Sequence, residues 1–207
     1  MVIIYILEIL LLILNEEFYL ILILVLVHVK LFSVPFYKQE EIHDCGITCI
    51  KMVSEYFDKV LSLEEIKSYY NTVWNRPLYT TELSFILNEI GLDTKIYTSN
   101  LDYNDLSEYK INENELSDIF IEERKFSTVE LVDFLDLKTV IIVLLDYGVL
   151  VDSEEKMTHF APITGFDGDN FYIHSHKEQF KKVSIDLFAK SRESDLTDWD
   201  IIVVKQK

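Results

Sequence analysis

The fold turns on the stretch Gln39-Glu40-Glu41-Ile42-His43-Asp44-Cys45-Gly46-Ile47-Thr48-Cys49. Apolar Val34-Pro35-Phe36-Tyr37 leads into it. After it, Ile47, Ile50, Met52, Val53, Tyr56 and Phe57 recur at three- and four-residue spacing, the period of a helix with one buried face. Cys45 therefore stands where a loop becomes a helix. Asp44 is placed to cap that helix, and Gly46 to leave room beside the sulfur. A helix N-terminus carries partial positive charge and free amide donors, which favour thiolate over thiol. Taken alone, Cys45 reads more readily as a buried residue opening an amphipathic helix, so the rest of the chain has to decide.

The deciding partner lies in Thr158-His159-Phe160-Ala161-Pro162-Ile163-Thr164-Gly165-Phe166-Asp167-Gly168-Asp169-Asn170-Phe171-Tyr172-Ile173. The pattern predicts a strand starting at His159, a tight turn over Asp167-Gly168-Asp169-Asn170, and a return strand. Cys first and a strand-edge His later is the papain order. In papain-like enzymes a Gln at the offset of Gln39 donates to the developing oxyanion, beside the amide of the Cys itself.

These residues carry a family resemblance. Val34-Pro35, Gln39, Asp44-Cys45-Gly46 and Cys49 resemble the opening of the guanylyl cyclase domain-containing proteins, the group of the plant-type soluble guanylyl cyclase. Thr81-Glu82-Leu83 before a helix ending at Gly91, the Ile141-to-Leu150 strand with Gly148, His159-Phe160 with Gly165-Phe166, and Asp198-Trp199-Asp200-Ile201-Ile202 continue it. It spans Val34 to Val204. The same Gln/Asp-Cys-Gly/His-Phe pattern is similar to the bacteriocin-processing cysteine peptidases, whose fold is papain-like. The resemblance implies Cys45 as nucleophile, His159 as its base and Gln39 in the oxyanion hole. In the peptidases an Asp or Asn on the return strand orients the imidazole; counting along this hairpin puts Ser175 there, and a hydroxyl orients an imidazolium more weakly than a carboxylate does. Asp167 or Asp169 would substitute only if the turn folded back.

The chain has 207 residues and a formal charge of −17, which fits one domain plus an N-terminal extension. Such a charge repels nucleic acid and anionic membranes, excludes nucleic-acid binding as the main job, and suits GTP poorly. Cys45 and Cys49 are the only cysteines. At i, i+4 on one helix a disulfide would strain the backbone, so Cys49 reads as core and the compartment as reducing, hence cytoplasmic.

Residues 1–32 are set apart as a hydrophobic N-terminal segment, and 33–207 as the family domain. Ile9–Leu14 and Phe18–Val27 are unbroken apolar runs, interrupted by Asn15, Glu16 and Glu17. Neither alone reaches the twenty or so residues of a spanning helix. A membrane anchor, an amphipathic helix packed on the domain, and a mispredicted start of the gene model all stay open.

Further along, Ser62-Leu63-Glu64-Glu65 and Ser127-Thr128-Val129-Glu130 are capping boxes opening helices. Thr80 or Thr81 caps another, with Leu83, Ile86, Leu87 and Ile90 inward. Leu92–Thr98 alternates as a strand, and Leu116–Glu122 reads as a short helix followed by an edge strand. The polar segment Ser99–Glu115 reads as a solvated loop without the ordered spacing of a calcium site. Val140–Leu145 is a central strand buried on both faces. Asp146–Thr158 reads as a loop. His174 and His176 would face one side of a strand, without a third metal ligand. Ser184–Ser191 is a helix, and Trp199–Val204 a closing strand. Helices first and strands afterwards make the fold class α+β, a helical lobe on an antiparallel sheet, in agreement with the papain-like fold that the resemblance implies.

The function expected is a Cys-His thiol hydrolase acting on a peptide or other small amide substrate without a cofactor. Two other readings stand beside it: a guanylyl cyclase turning GTP into cyclic GMP with Mg²⁺, for which the chain offers no Gly-rich phosphate loop and no Lys/Arg cluster, and a non-catalytic binding module on the same fold.

Overall fold

The computed structural model describes residues 30–69, 76–101, 119–175 and 177–207. The apolar N-terminal runs, most of the polar segment after Ser99, and His176 lie outside the described residues. The readings of a membrane anchor, a calcium loop and a histidine pair fall there. No helix among the described residues is long and apolar enough to cross a membrane.

In chain order the elements are β1 (Lys30–Leu31), α1 (Cys45–Tyr56), α2 (Leu63–Ser68), α3 (Thr80–Glu89), β2 (Leu92–Thr98), β3 (Phe120–Glu123), α4 (Leu131–Phe134), β4 (Thr139–Asp146), α5 (Tyr147–Leu150), β5 (Thr158–Phe166), β6 (Asn170–Ile173), β7 (Lys181–Ser184), α6 (Ile185–Arg192) and β8 (Ile201–Gln206). The strands form one sheet in the order β3-β2-β8-β4-β5-β6-β7, with β1 on β5. Every pairing is antiparallel except β2 with β3. The expected purely antiparallel sheet therefore carries one parallel edge strand. A two- to seven-residue strand does not encode its partner's direction.

The core follows the apolar periods. In β4, Val140, Ile141, Ile142, Val143 and Leu145 are buried on both faces, as a continuous β-branched run in a sheet centre requires. Helix α1 sets Ile47, Cys49, Ile50, Met52 and Val53 into the core and packs on β5; α3 packs on β2. Gly46 differs from its expected role. A Cβ there would lie 3.0 Å from both Leu78 and Leu83, so its missing side chain admits α3 rather than space beside the sulfur.

Several ends are fixed by local chemistry. Ser62 Oγ accepts from the Glu65 amide (3.1 Å) while Glu65 accepts from the Ser62 amide (2.7 Å). Ser127 and Glu130 make the same reciprocal pair. For α3 the N-cap is Tyr79 rather than a threonine. Glu82 accepts its amide and holds Arg76 through two hydrogen bonds of 2.7 and 3.0 Å. Asp44 stands at the N-cap of α1, but its carboxylate accepts from the Glu41 amide instead of capping the helix.

The sheet reaches further toward the N-terminus than the expected boundary at residue 33. Lys30 and Leu31 pair with Phe166 and Gly165, the Phe32 amide donates to the Thr164 carbonyl (2.8 Å), and the Phe32 side chain is buried. Three short elements have no period to reveal them: β1, β7, and α5 inside the expected Asp146–Thr158 loop, where the Asp146 carboxylate accepts from the Val149 amide. At the chain's end, Asp198 and Trp199 take left-handed φ values of 46° and 59°. That turn lays the indole against the buried Arg192 guanidinium, 5.1 Å away, before β8 begins.

Candidate active site

Gln39, Cys45, His159 and Ser175 come together. All four line one narrow crevice between the first half of α1 and the β5–β6 sheet, with Thr48, Cys49 and His174. Cys45, Thr48 and Cys49 share a helix face at i, i+3 and i+4, and β5 begins at Thr158, so His159 enters the crevice from the first rows of that strand. The empty volume is about 160 Å³, too small to seat a peptide without opening. Neither Thr48 nor His174 was expected here: Thr48 is off the apolar period of the helix, though at i+3 from Cys45, and the strand that His174 was assigned to ends one residue earlier.

Cys45 is 6% exposed. Burial pushes its thiol above the ordinary range, and the backbone amides of Phe160, Gly46 and Cys45 pull against that without prevailing; the nearby Asp44 adds to the rise. Burial thus works against the helix amides at this sulfur, and the desolvation of the charged form is the larger effect. Cys49 is the core residue expected of it, with its Sγ donating to the Phe160 carbonyl at 3.3 Å; burial drives its thiol higher still. One residue of β5 thus faces both sulfurs, Phe160 N–H toward Cys45 and Phe160 C=O toward Cys49.

His159 is 7% exposed and packs edge-on against Tyr147, with ring centroids 5.4 Å apart. Gln39 donates from Nε2 to the Glu41 carbonyl, and its Oε1 is buried without a partner. Ser175 is buried in the turn after β6, its amide donating to the Glu178 carbonyl (3.0 Å) and its hydroxyl accepting from the Glu178 amide (3.1 Å). Asp167 and Asp169 do not replace it. Asp167 stays in its hairpin turn, accepting from Asn170, Tyr172 and the Asp169 amide. His174 is no metal ligand: Nε2 pairs with the Val34 carbonyl (2.8 Å), and Nδ1 accepts from the Phe180 amide (3.1 Å). Among the described residues no group of His, Cys, Asp and Glu is placed to hold a metal ion.

Comparison with known proteins decides the family. Residues 31–199 match the model of the Peptidase_C39-like family. The chain belongs to that family. No curated protein matches. Among solved structures, the chain is similar to a double-glycine motif protease from an AMS/PCAT transporter, determined with its leader peptide, at 17% identity, with a TM-score of 0.53 over 86% of this chain and 95% of that one. It is similar also to the peptidase domain of Streptococcus ComA, a bifunctional ABC transporter involved in quorum sensing (11% identity, TM-score 0.55, 86% and 98% covered). A third is a protein described as a C39-like peptidase from Bacillus anthracis (12% identity, TM-score 0.52, 86% and 98%). These likenesses establish the papain-like α+β fold. The guanylyl cyclase resemblance gives way to the peptidase family, and with it the expectation of GTP, Mg²⁺ and cyclic GMP. Gln39, Asp44-Cys45-Gly46 and His159-Phe160 are the part of the pattern that the two resemblances had in common. Thiol peptidases of this family need no cofactor.

Proposed function

We propose that this chain is a cysteine peptidase of the C39 type, acting on a peptide substrate. The observation that carries the reading is the convergence of Gln39, Cys45, His159 and Ser175, drawn from three separated parts of the chain, on one crevice. Cys45 Sγ attacks the scissile carbonyl as His159 takes the thiol proton. The carbonyl oxygen becomes an oxyanion beside the Cys45 amide and the Gln39 side chain. Collapse breaks the C–N bond, and His159 returns its proton to the leaving amine. Water then adds to the thioester, losing a proton to His159, and the acid departs as Cys45 recovers its thiol. One N–H of the Gln39 amide is held by the Glu41 carbonyl, which leaves the second to donate to the oxyanion.

Ser175 is the residue that weighs against full activity. A hydroxyl already accepting from the Glu178 amide has one lone pair left for the imidazole and no negative charge to stabilise the imidazolium. That favours a second reading, a peptide-binding module on the same fold. The two separate in one experiment: the full chain is incubated with a mixed peptide library, and products are read by mass spectrometry. Peptidase action requires new termini with wild type and none with Cys45→Ala. Peptides retained by both proteins without cleavage would establish the binding module instead.

A further inference from the structure

We propose that His174 is a positioning residue of this site, tying the segment that carries Gln39 to the turn that carries Ser175. The inference rests on the peptidase reading for its catalytic meaning, while the tie itself is a matter of bonds. His174 follows the last residue of β6, its own amide donating to the Pro162 carbonyl of β5 at 3.2 Å. Its ring then spans two loops that no ladder joins. Nε2 reaches the Val34 carbonyl and Nδ1 the Phe180 amide. Because an amide nitrogen can only donate, Nδ1 must accept, and the proton stands on Nε2, donated to Val34. Both ring nitrogens are committed in the neutral tautomer, and burial holds the ring neutral by lowering its affinity for a second proton.

Aromatic contacts repeat the tie on either side. Phe36 meets the His174 ring edge-on at 5.4 Å, and Phe180 does so at 4.9 Å. On one side, the Val34–Tyr37 segment runs straight to Gln39. It is pinned at its far end by the Tyr37 hydroxyl donating to Glu55 of α1 at 2.5 Å. On the other, Phe180 closes the turn in which Ser175 and Glu178 exchange hydrogen bonds. Oxyanion donor and imidazole partner are thus registered against each other through one side chain that touches neither reacting atom. Precise placement of such groups matters because small displacements are costly in rate.

The test uses three full-length proteins: wild type, His174→Phe and His174→Gln. Phenylalanine keeps an aromatic ring between Phe36 and Phe180 but makes neither hydrogen bond; glutamine can make both. Amide hydrogen exchange is followed by mass spectrometry at one pH. In His174→Phe, exchange should quicken by about tenfold or more in residues 33–44 and 174–181 together, with β4 and β8 unchanged, and His174→Gln should restore most of the protection. Quickening confined to 174–181 would overturn the proposal, as would a uniform loss across the sheet. The same proteins are then titrated with a peptidyl aldehyde, whose carbon takes the Cys45 sulfur and whose oxygen takes the thiol proton. Weaker adduct formation in His174→Phe, with recovery in His174→Gln, gives the tie its catalytic role. A wild type that forms no adduct refutes the peptidase reading alone, because the exchange result stands without it.

Discussion

At the scale of single residues, Cys45 shows how much a sequence can say about position and how little about acidity. Its place at a loop-to-helix junction, and the offsets of Gln39, His159 and Ser175 from it, were legible because they are counts along a chain. Its raised thiol was not, because desolvation depends on how deeply the fold buries the sulfur between α1 and the sheet. Asp200 is another such case. Just before β8 it is 5% exposed and takes the Thr80 hydroxyl on one carboxylate oxygen. Burial pushes its carboxyl up to about 6 from 3.8, against opposing hydrogen bonds from Thr80 and Thr98. The folded chain therefore holds this proton more tightly than the unfolded chain. Stability from this group rises as pH falls from about 6 toward 3.8 and is lost as pH climbs back through that window, a span of roughly 2–3 kcal/mol. Urea denaturation of wild type and Asp200→Asn at pH 7 and pH 5 should show the wild type gaining relative to the variant at pH 5. A constant difference at both pH values would mean that Asp200 is ionised in the fold throughout.

At the scale of elements, long periodic runs were readable and short ones were not. Helix α1 and strand β4 bury a whole face or both faces, so their apolar spacing records their structure. Strands β1 and β7 are two and four residues long, and what makes them strands is the neighbour they pair with. The link between β1 and β5 is the clearest instance. A Cβ on Gly165 would lie 2.5 Å from the Lys30 carbonyl oxygen and 2.6 Å from Leu31. Gly165→Ala should therefore cost about 1–3 kcal/mol through overpacking, measured by urea denaturation. In a chain starting at Ser33 that penalty should largely vanish, since the opposing strand is gone. Such a chain should itself be less stable than one starting at Lys30, by about 2–3 kcal/mol for the lost Phe32 burial. Equal stability of the two truncations would show that β1 and Phe32 add nothing to the sheet.

At the scale of the whole molecule, composition bounded the chemistry before any site was visible. A chain with formal charge −17 carries a net negative field, which draws cationic partners and repels anionic ones within a Debye length of about 10 Å at ordinary ionic strength. For peptides of equal length, a Lys-rich one should associate faster than a Glu-rich one, and the gap should close as salt is raised. Stopped-flow association rates at low and high NaCl test this; a gap unaffected by salt would place the preference in the crevice rather than in the field. The same argument set GTP aside as a poor fit, consistent with the family later found. What composition and motif left unseen was the bond of the Gln39 amide to the Glu41 carbonyl, made by a fold of the loop that no spacing encodes.

The central claim is that Cys45 is a nucleophile activated by His159. Its most direct test is the iodoacetamide alkylation rate of each cysteine, mapped by mass spectrometry from pH 5 to pH 10 in wild type and His159→Ala. Burial raises both thiols, so an isolated sulfur at either position would react only at alkaline pH. A thiol passing its proton to His159 instead reacts in the neutral range. The account predicts modification of Cys45 alone near pH 7, slowed at least about tenfold in His159→Ala, with Cys49 inert throughout. Equal modification of both cysteines, or a Cys45 profile unchanged by His159→Ala, would contradict it.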